Sequence, residues 1–142
     1  MEATRSIRGT RDSDRIAWRF GKDTPYVPSP LLYGDLLYFN KLNNGILTIL
    51  DAKTGTPVLE SVRMPEISNL YASPVGAADR VYFVSRDGTT LVMKHGKTLD
   101  VLATNKLDDS FDASPAIVGK QLFLRGSKSV YCIETAVPPA TR

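Results

Sequence analysis

The 142-residue sequence holds one cysteine, one histidine and one tryptophan, and each scarcity removes a class of function. With Cys132 alone there is no intramolecular disulfide and no cysteine-based metal cluster. Its place between Tyr131 and Ile133 in an apolar run suits a small buried side chain better than a reactive thiol. His95 cannot supply a histidine-pair zinc site, and beside Gly96 it reads as a solvated turn residue. No serine stands in a nucleophile-elbow context that could use His95 as a base. Gly45, Gly55, Gly88 and Gly96 are isolated turn glycines, so no glycine-rich phosphate loop is present. No run approaches the roughly 20 apolar residues of a membrane helix, so no membrane span is expected. Met1 to Gly21 lacks the apolar h-region of a secretory leader, and the compartment stays unassigned. No window keeps apolar side chains at helical spacing without Gly or Pro breaking it.

Charge is also scarce where a nucleic-acid protein would need it. The net charge of +3 comes entirely from the first 22 residues, where Arg5, Arg8, Arg11, Arg15, Arg19 and Lys22 face Glu2, Asp12 and Asp14. From Asp23 onward the charges cancel, which argues against a nucleic-acid partner. Residues 1–14 read as a flexible polar arm.

What the sequence does have is a repeat. Ser29-Pro30-Leu31-Leu32-Tyr33-Gly34-Asp35-Leu36-Leu37-Tyr38-Phe39 returns without a gap as Ser73 to Phe83 and Ser114 to Leu124. A period of about 40 residues marks an array of similar units, each too small to bury its own faces. In the first unit, short strands are expected at Ser29 to Tyr33, Leu36 to Asn40, Ile46 to Leu50 and Pro57 to Val62. Gly34-Asp35, Asn43-Asn44-Gly45 and Asp51 to Gly55 supply the turns. Pro57 lacks a ladder donor, so the fourth strand should be an edge. The second unit repeats the pattern near Ala72 to Ala77, Arg80 to Ser85, Thr89 to Lys94 and Thr98 to Thr104. The third has Ala113 to Val118, Gln121 to Arg125 and Ser129 to Glu134, with no fourth strand. Arg15 to Phe20 reads as a lone outer strand ahead of them all.

Four antiparallel strands per unit of this length define the blade of a β-propeller, so the expected fold is all-β with about three blades. The organisation is an arm at 1–14, a propeller segment at 15–137 and a tail at 138–142. Within the segment lie a lone strand at 15–21, blades at 26–64 and 70–105, and a three-stranded blade at 111–135. Ala72, Gly76 and Ala113 suit a crowded centre, while Tyr38, Ile49, Tyr82, Leu91, Phe123 and Tyr131 are expected to fill the space between blades.

The Ser-Pro start, the apolar-aromatic pair and Asp51-Ala52-Lys53-Thr54-Gly55 together resemble the PQQ-like, or quinoprotein-like, β-propeller repeat family. The resemblance covers about Arg15 to Glu134 and implies the C-terminal part of a longer propeller, of a family whose members are often periplasmic or exported. Trp18 fits the tryptophan that often ends the family's outer strand, while Leu59 and Leu102 stand near that position in the complete blades. Quinoprotein enzymes of the superfamily hold quinone with calcium, an acidic base and often a vicinal disulfide. No such constellation can be assembled here, so no cofactor, metal or catalytic residue is expected. The leading expectation is a non-catalytic scaffold acting through protein or peptide binding; the alternatives are a remnant of a quinoprotein dehydrogenase or a sensor domain of a signalling protein.

A candidate partner face follows from topology. The loops before the first strands and between the second and third strands share one end of the array, bringing together Asp23, Tyr26, Lys41, Asn69, Tyr71, Arg86, Asp109, Asp112 and Arg125. Unpaired ends imply self-association as well. Two chains could exchange outer strands in a homodimer with isologous symmetry and close a six-bladed ring, a larger ring being the alternative.

Overall fold

The computed structural model describes residues 15–134; the expected arm at 1–14 and the tail at 138–142 lie outside them. Eleven strands form three antiparallel sheets. The first holds β1 (Leu31–Tyr33), β2 (Leu36–Asn40), β3 (Ile46–Asp51) and β4 (Pro57–Arg63). The second holds β5 (Val75–Ala77), β6 (Arg80–Val84), β7 (Thr89–Lys94) and β8 (Val101–Lys106). The third holds β9 (Ala116–Val118), β10 (Gln121–Arg125) and β11 (Val130–Glu134). Each sheet is a meander of sequential neighbours, which is the topology of a propeller blade.

Local chemistry sets the hairpins. Tyr33 pairs with Leu36, Ala77 with Arg80 and Val118 with Gln121, so each inner turn is two residues long. Gly34, Ala78, Asp79 and Gly119 take the positive φ that such turns require. Pro30, Pro74 and Pro115 each stand immediately before an inner strand, at equivalent positions. The inner strands are therefore shorter than expected, three residues each, because a residue without an N–H cannot extend the ladder.

The blades pack through alternate residues. Between the first two, Leu36, Tyr38, Leu47 and Ile49 meet Val81, Phe83, Leu91 and Met93, with Met64, Ile67 and Leu70 of the connecting loop closing the cluster. At about 25 cal/mol per Å² this burial supplies the main attraction between sheets that cannot fold singly. The second junction is smaller, with Ala72, Val84, Phe111 and Leu124 buried and Leu107, Leu122 and Tyr131 packed against them.

Four expectations are corrected. Arg15 to Phe20 forms no strand, and the first sheet is built from β1 to β4 without it. Side chains hold this segment instead: Trp18 Nε1 donates to Ala52 O at 3.0 Å, and Phe20 packs on Phe39 with ring centroids 6.0 Å apart. Phe123 points away from the second blade, since Leu122 and Leu124, its alternates, fill that junction. Cys132 pairs across from Phe123 on the same outer side and is exposed rather than buried. His95 is half-buried between Tyr33 and Tyr38 rather than solvated, because the strand-joining turns of neighbouring blades converge there.

Candidate functional site

At one end of the array, the loops before β5 and β9 and the β6–β7 turn bring three predicted residues together. The Arg86 guanidinium lies 4.4 Å from the centroid of the Tyr71 ring, and its Nη2 donates to Asp112 Oδ2 at 3.3 Å. One cation thus bridges the loop that enters the second blade and the loop that enters the third. Asn69, with φ of 54°, accepts from Arg86 N through its carbonyl at 3.2 Å and fixes where the side chain starts. Arg125 is exposed on the neighbouring blade and stands apart from this trio.

A second group forms at the first blade. Lys41 Nζ lies 2.8 Å from Asp23 Oδ1, and Ser61 Oγ donates to Asp23 Oδ2 at 2.7 Å. These partners hold the Asp23 carboxyl below the usual carboxylate range, the Lys41 hydrogen bond first among them. Tyr26 is bound by its backbone, N–H to Leu42 O at 3.0 Å, and presents its ring to solvent.

Asp109 stands apart from the other predicted residues because the chain itself saturates it. Its carboxylate accepts from Ser110 N at 2.7 Å, Ser127 Oγ at 2.8 Å, and Lys128 N, Ser129 N and Tyr131 OH at 3.1 Å each. Burial opposes ionisation, but the bonds from Ser127, Lys128, Ser110 and Tyr131 outweigh it and hold the carboxyl well below its ordinary range. Gly126 completes the arrangement, since a Cβ there would overlap the carboxylate. Asp109 therefore ties the β10–β11 turn to the loop before β9, and its oxygens are turned inward. Asp87 does related work in the second blade, accepting from Ser85 Oγ at 2.6 Å and Thr89 Oγ1 at 3.1 Å.

Two further constellations join the blades to one another. Tyr38 OH lies 2.7 Å from His95 Nδ1 and accepts from Gly96 N at 3.0 Å, while Tyr33 OH accepts from Asp79 N at 3.0 Å. This latch joins the first two blades at the end opposite the loop face. Near the inner strands, Ser29 N donates to Ser73 Oγ at 2.8 Å, and Ser73 N donates to Ser114 Oγ at 2.9 Å. The repeat itself was the signal for this ladder, because the serines occupy one position of the repeated motif.

Among the described residues, no three His, Cys, Asp or Glu side chains converge as metal ligands. No helix there is long and apolar enough to cross a membrane. Blades, meander topology and interlocked inner strands define a β-propeller. Solved structures agree on the fold. BamB from Moraxella catarrhalis aligns with a TM-score of 0.58 and 19% identity over 74% of this chain and 32% of its own. Two computationally designed proteins align similarly: Ika4 with TM-score 0.59 and 12% identity over 75% of this chain and 64% of its own, and Ika8 with 0.57 and 14% over 75% and 32%. The chain thus spans about a third of BamB and Ika8 and under two thirds of Ika4. No family model and no curated protein sequence matches the chain.

Proposed function

We propose that the chain is a non-catalytic β-propeller scaffold of the PQQ-like kind, part of a larger ring, that binds an extended peptide or protein loop on the face carrying Tyr71, Arg86 and Asp112. The observation that supports this most is the Tyr71–Arg86–Asp112 stack, in which a half-buried aromatic ring and a guanidinium are held ready between two blades. Asp112 engages the Nε and Nη2 donors of the guanidinium, which leaves its remaining N–H groups and the Tyr71 ring to meet a partner's carbonyl or carboxylate, and an ordered side chain loses little further freedom on binding. Exposed Tyr26 adds a second aromatic at the same end. The acidic groups there are engaged in ion pairs or, like Asp109, held ionised by the chain. A general acid or base needs a pKa near the working pH, and Asp109 is moved away from it.

Selection from a displayed peptide library on the immobilised chain, followed by calorimetry, tests the reading. The expected result is peptides that bind the native chain and lose about tenfold or more in affinity with Arg86→Ala, the effect of removing one charge-assisted contact. Selected peptides indifferent to both Arg86→Ala and Tyr71→Ala would place binding elsewhere and end this assignment.

A further inference from the structure

The two outer faces of the three-blade array match each other in the way its internal junctions do. Gly76 faces the first blade, since a Cβ there would meet the Tyr33 ring at 2.8 Å. Its counterpart in the first blade is Leu32, and the counterpart of Pro74 and Pro115 is Pro30. Pro74 and Pro115 are buried, whereas Pro30 is exposed and Leu32 is 61% exposed. At the far side, Val118 is the counterpart of Tyr33, the residue that covers Gly76, and it is 65% exposed. Val130, 74% exposed, and Cys132 extend that bare face.

The serine ladder is open at the same two places. Ser29 N donates to Ser73 Oγ and Ser73 N to Ser114 Oγ, so the step from blade to blade repeats. Among the described residues nothing receives the Ser114 N–H and nothing donates to Ser29 Oγ. Among the described residues the third blade has three strands, and beside β11 lies a cleft of about 570 Å³ lined in part by Tyr82, Val92, Leu122 and Ile133. A segment that fits this open edge lies at the other end of the described residues. Trp18 docks on Ala52 and Gly55 from the side where a preceding blade would stand, and it anchors a segment that has no sheet of its own.

From these matched ends we infer that the third blade receives the first blade of a second copy, and that Arg15 to Phe20 of each copy becomes the outer strand beside β11 of the other. Val118 then covers Leu32 as Tyr33 covers Gly76, and Ser114 N donates to Ser29 Oγ across the seam. Propellers close with about four to eight blades, and the three described blades of two copies give six, a number within that range. The surface is independent of the Tyr71–Arg86–Asp112 face, and either assignment can fail alone.

Light scattering coupled to size exclusion on the 142-residue chain should give about 31 kDa, twice the chain mass of 15.6 kDa. A species of one chain mass at every concentration, or one of three or more copies, would overturn the ring. Val118→Asp, at a site exposed within the chain, should raise the dimer dissociation constant by about a hundredfold while the far-UV circular dichroism stays that of a folded β protein, because an unpaired carboxylate enters the seam. Adding Leu32→Lys to that variant should restore the dimer; a double variant as dissociated as the single one defeats the pairing of these two residues. Amide exchange reads the strand: residues 130–134 and 16–20 should be slow together in the dimer and fast together in Val118→Asp. A stable dimer whose β11 amides stay fast would rule the strand exchange out.

Discussion

Asp109 shows how much one side chain does in a fold with three-residue inner strands. Its carboxyl is depressed in the folded chain, so the stability it contributes is present above the ordinary carboxylate pKa of about 3.9 and is lost as pH falls below that toward the folded value. Thermal midpoints measured between neutral pH and the acid range should drop below about pH 4, and Asp109→Asn should lower the neutral midpoint and flatten that acid slope. Gly55 offers a cleaner optical test. Its φ is +70° and a Cβ would strike the Trp18 indole, so Gly55→Ala should push the chain's one tryptophan into water. A red shift of the emission, without loss of the far-UV signal, is the expected outcome; unchanged emission would mean that Trp18 does not dock on this turn. In the sequence only the family resemblance hints at a docked Trp18, because Asp51 to Gly55 is a local turn motif while Trp18 lies 34 residues from the carbonyl it meets.

Among elements, what could be read from sequence followed the range of the interactions that decide each one. Strands β2, β3, β7 and β10 stand close to their expected bounds because alternation and two-residue turns act locally. The status of Arg15 to Phe20 did not follow from its own residues: alternation gives a strand only where an edge is available to pair with. The surroundings of His95 escape a linear reading for a related reason. Its partner Tyr38 is 57 residues away, and only stacking of the blades brings the two rings together. Of the candidate face, Tyr71, Arg86 and Asp112 do assemble, whereas the fate of Asp109 turned on a hydrogen-bond network no linear motif announces. The inner strand β5 carries its own prediction. Gly76→Val should force Tyr33 off its seat and cost about 1–3 kcal/mol, the usual penalty for overpacking, measurable by urea denaturation; a change below that range would mean the Tyr33 ring moves freely.

For the whole molecule, stability is uneven. The first junction buries a large cluster from both blades and their connecting loop, while the second buries four residues and leaves an open cleft at its rim. In the single-chain Val118→Asp variant the third blade should therefore detach before the first two unfold. Far-UV circular dichroism should begin to fall at lower urea than Trp18 fluorescence, which reports on the first blade. Coincident transitions would show instead that all three blades unfold as one unit.

The serine ladder has a direction: every backbone donor points from one blade to the next, never back. A surface that can grip only the opposite pole of its own kind obeys the rule of head-to-tail assembly, in which the angle per step chooses between a closed circle and an endless fibre. Gly76 and the Tyr33 ring above it help set that angle. Enlarging this glycine therefore threatens solubility as well as stability, and the same substitution that loosens a blade should turn clear solutions of the chain turbid with filaments.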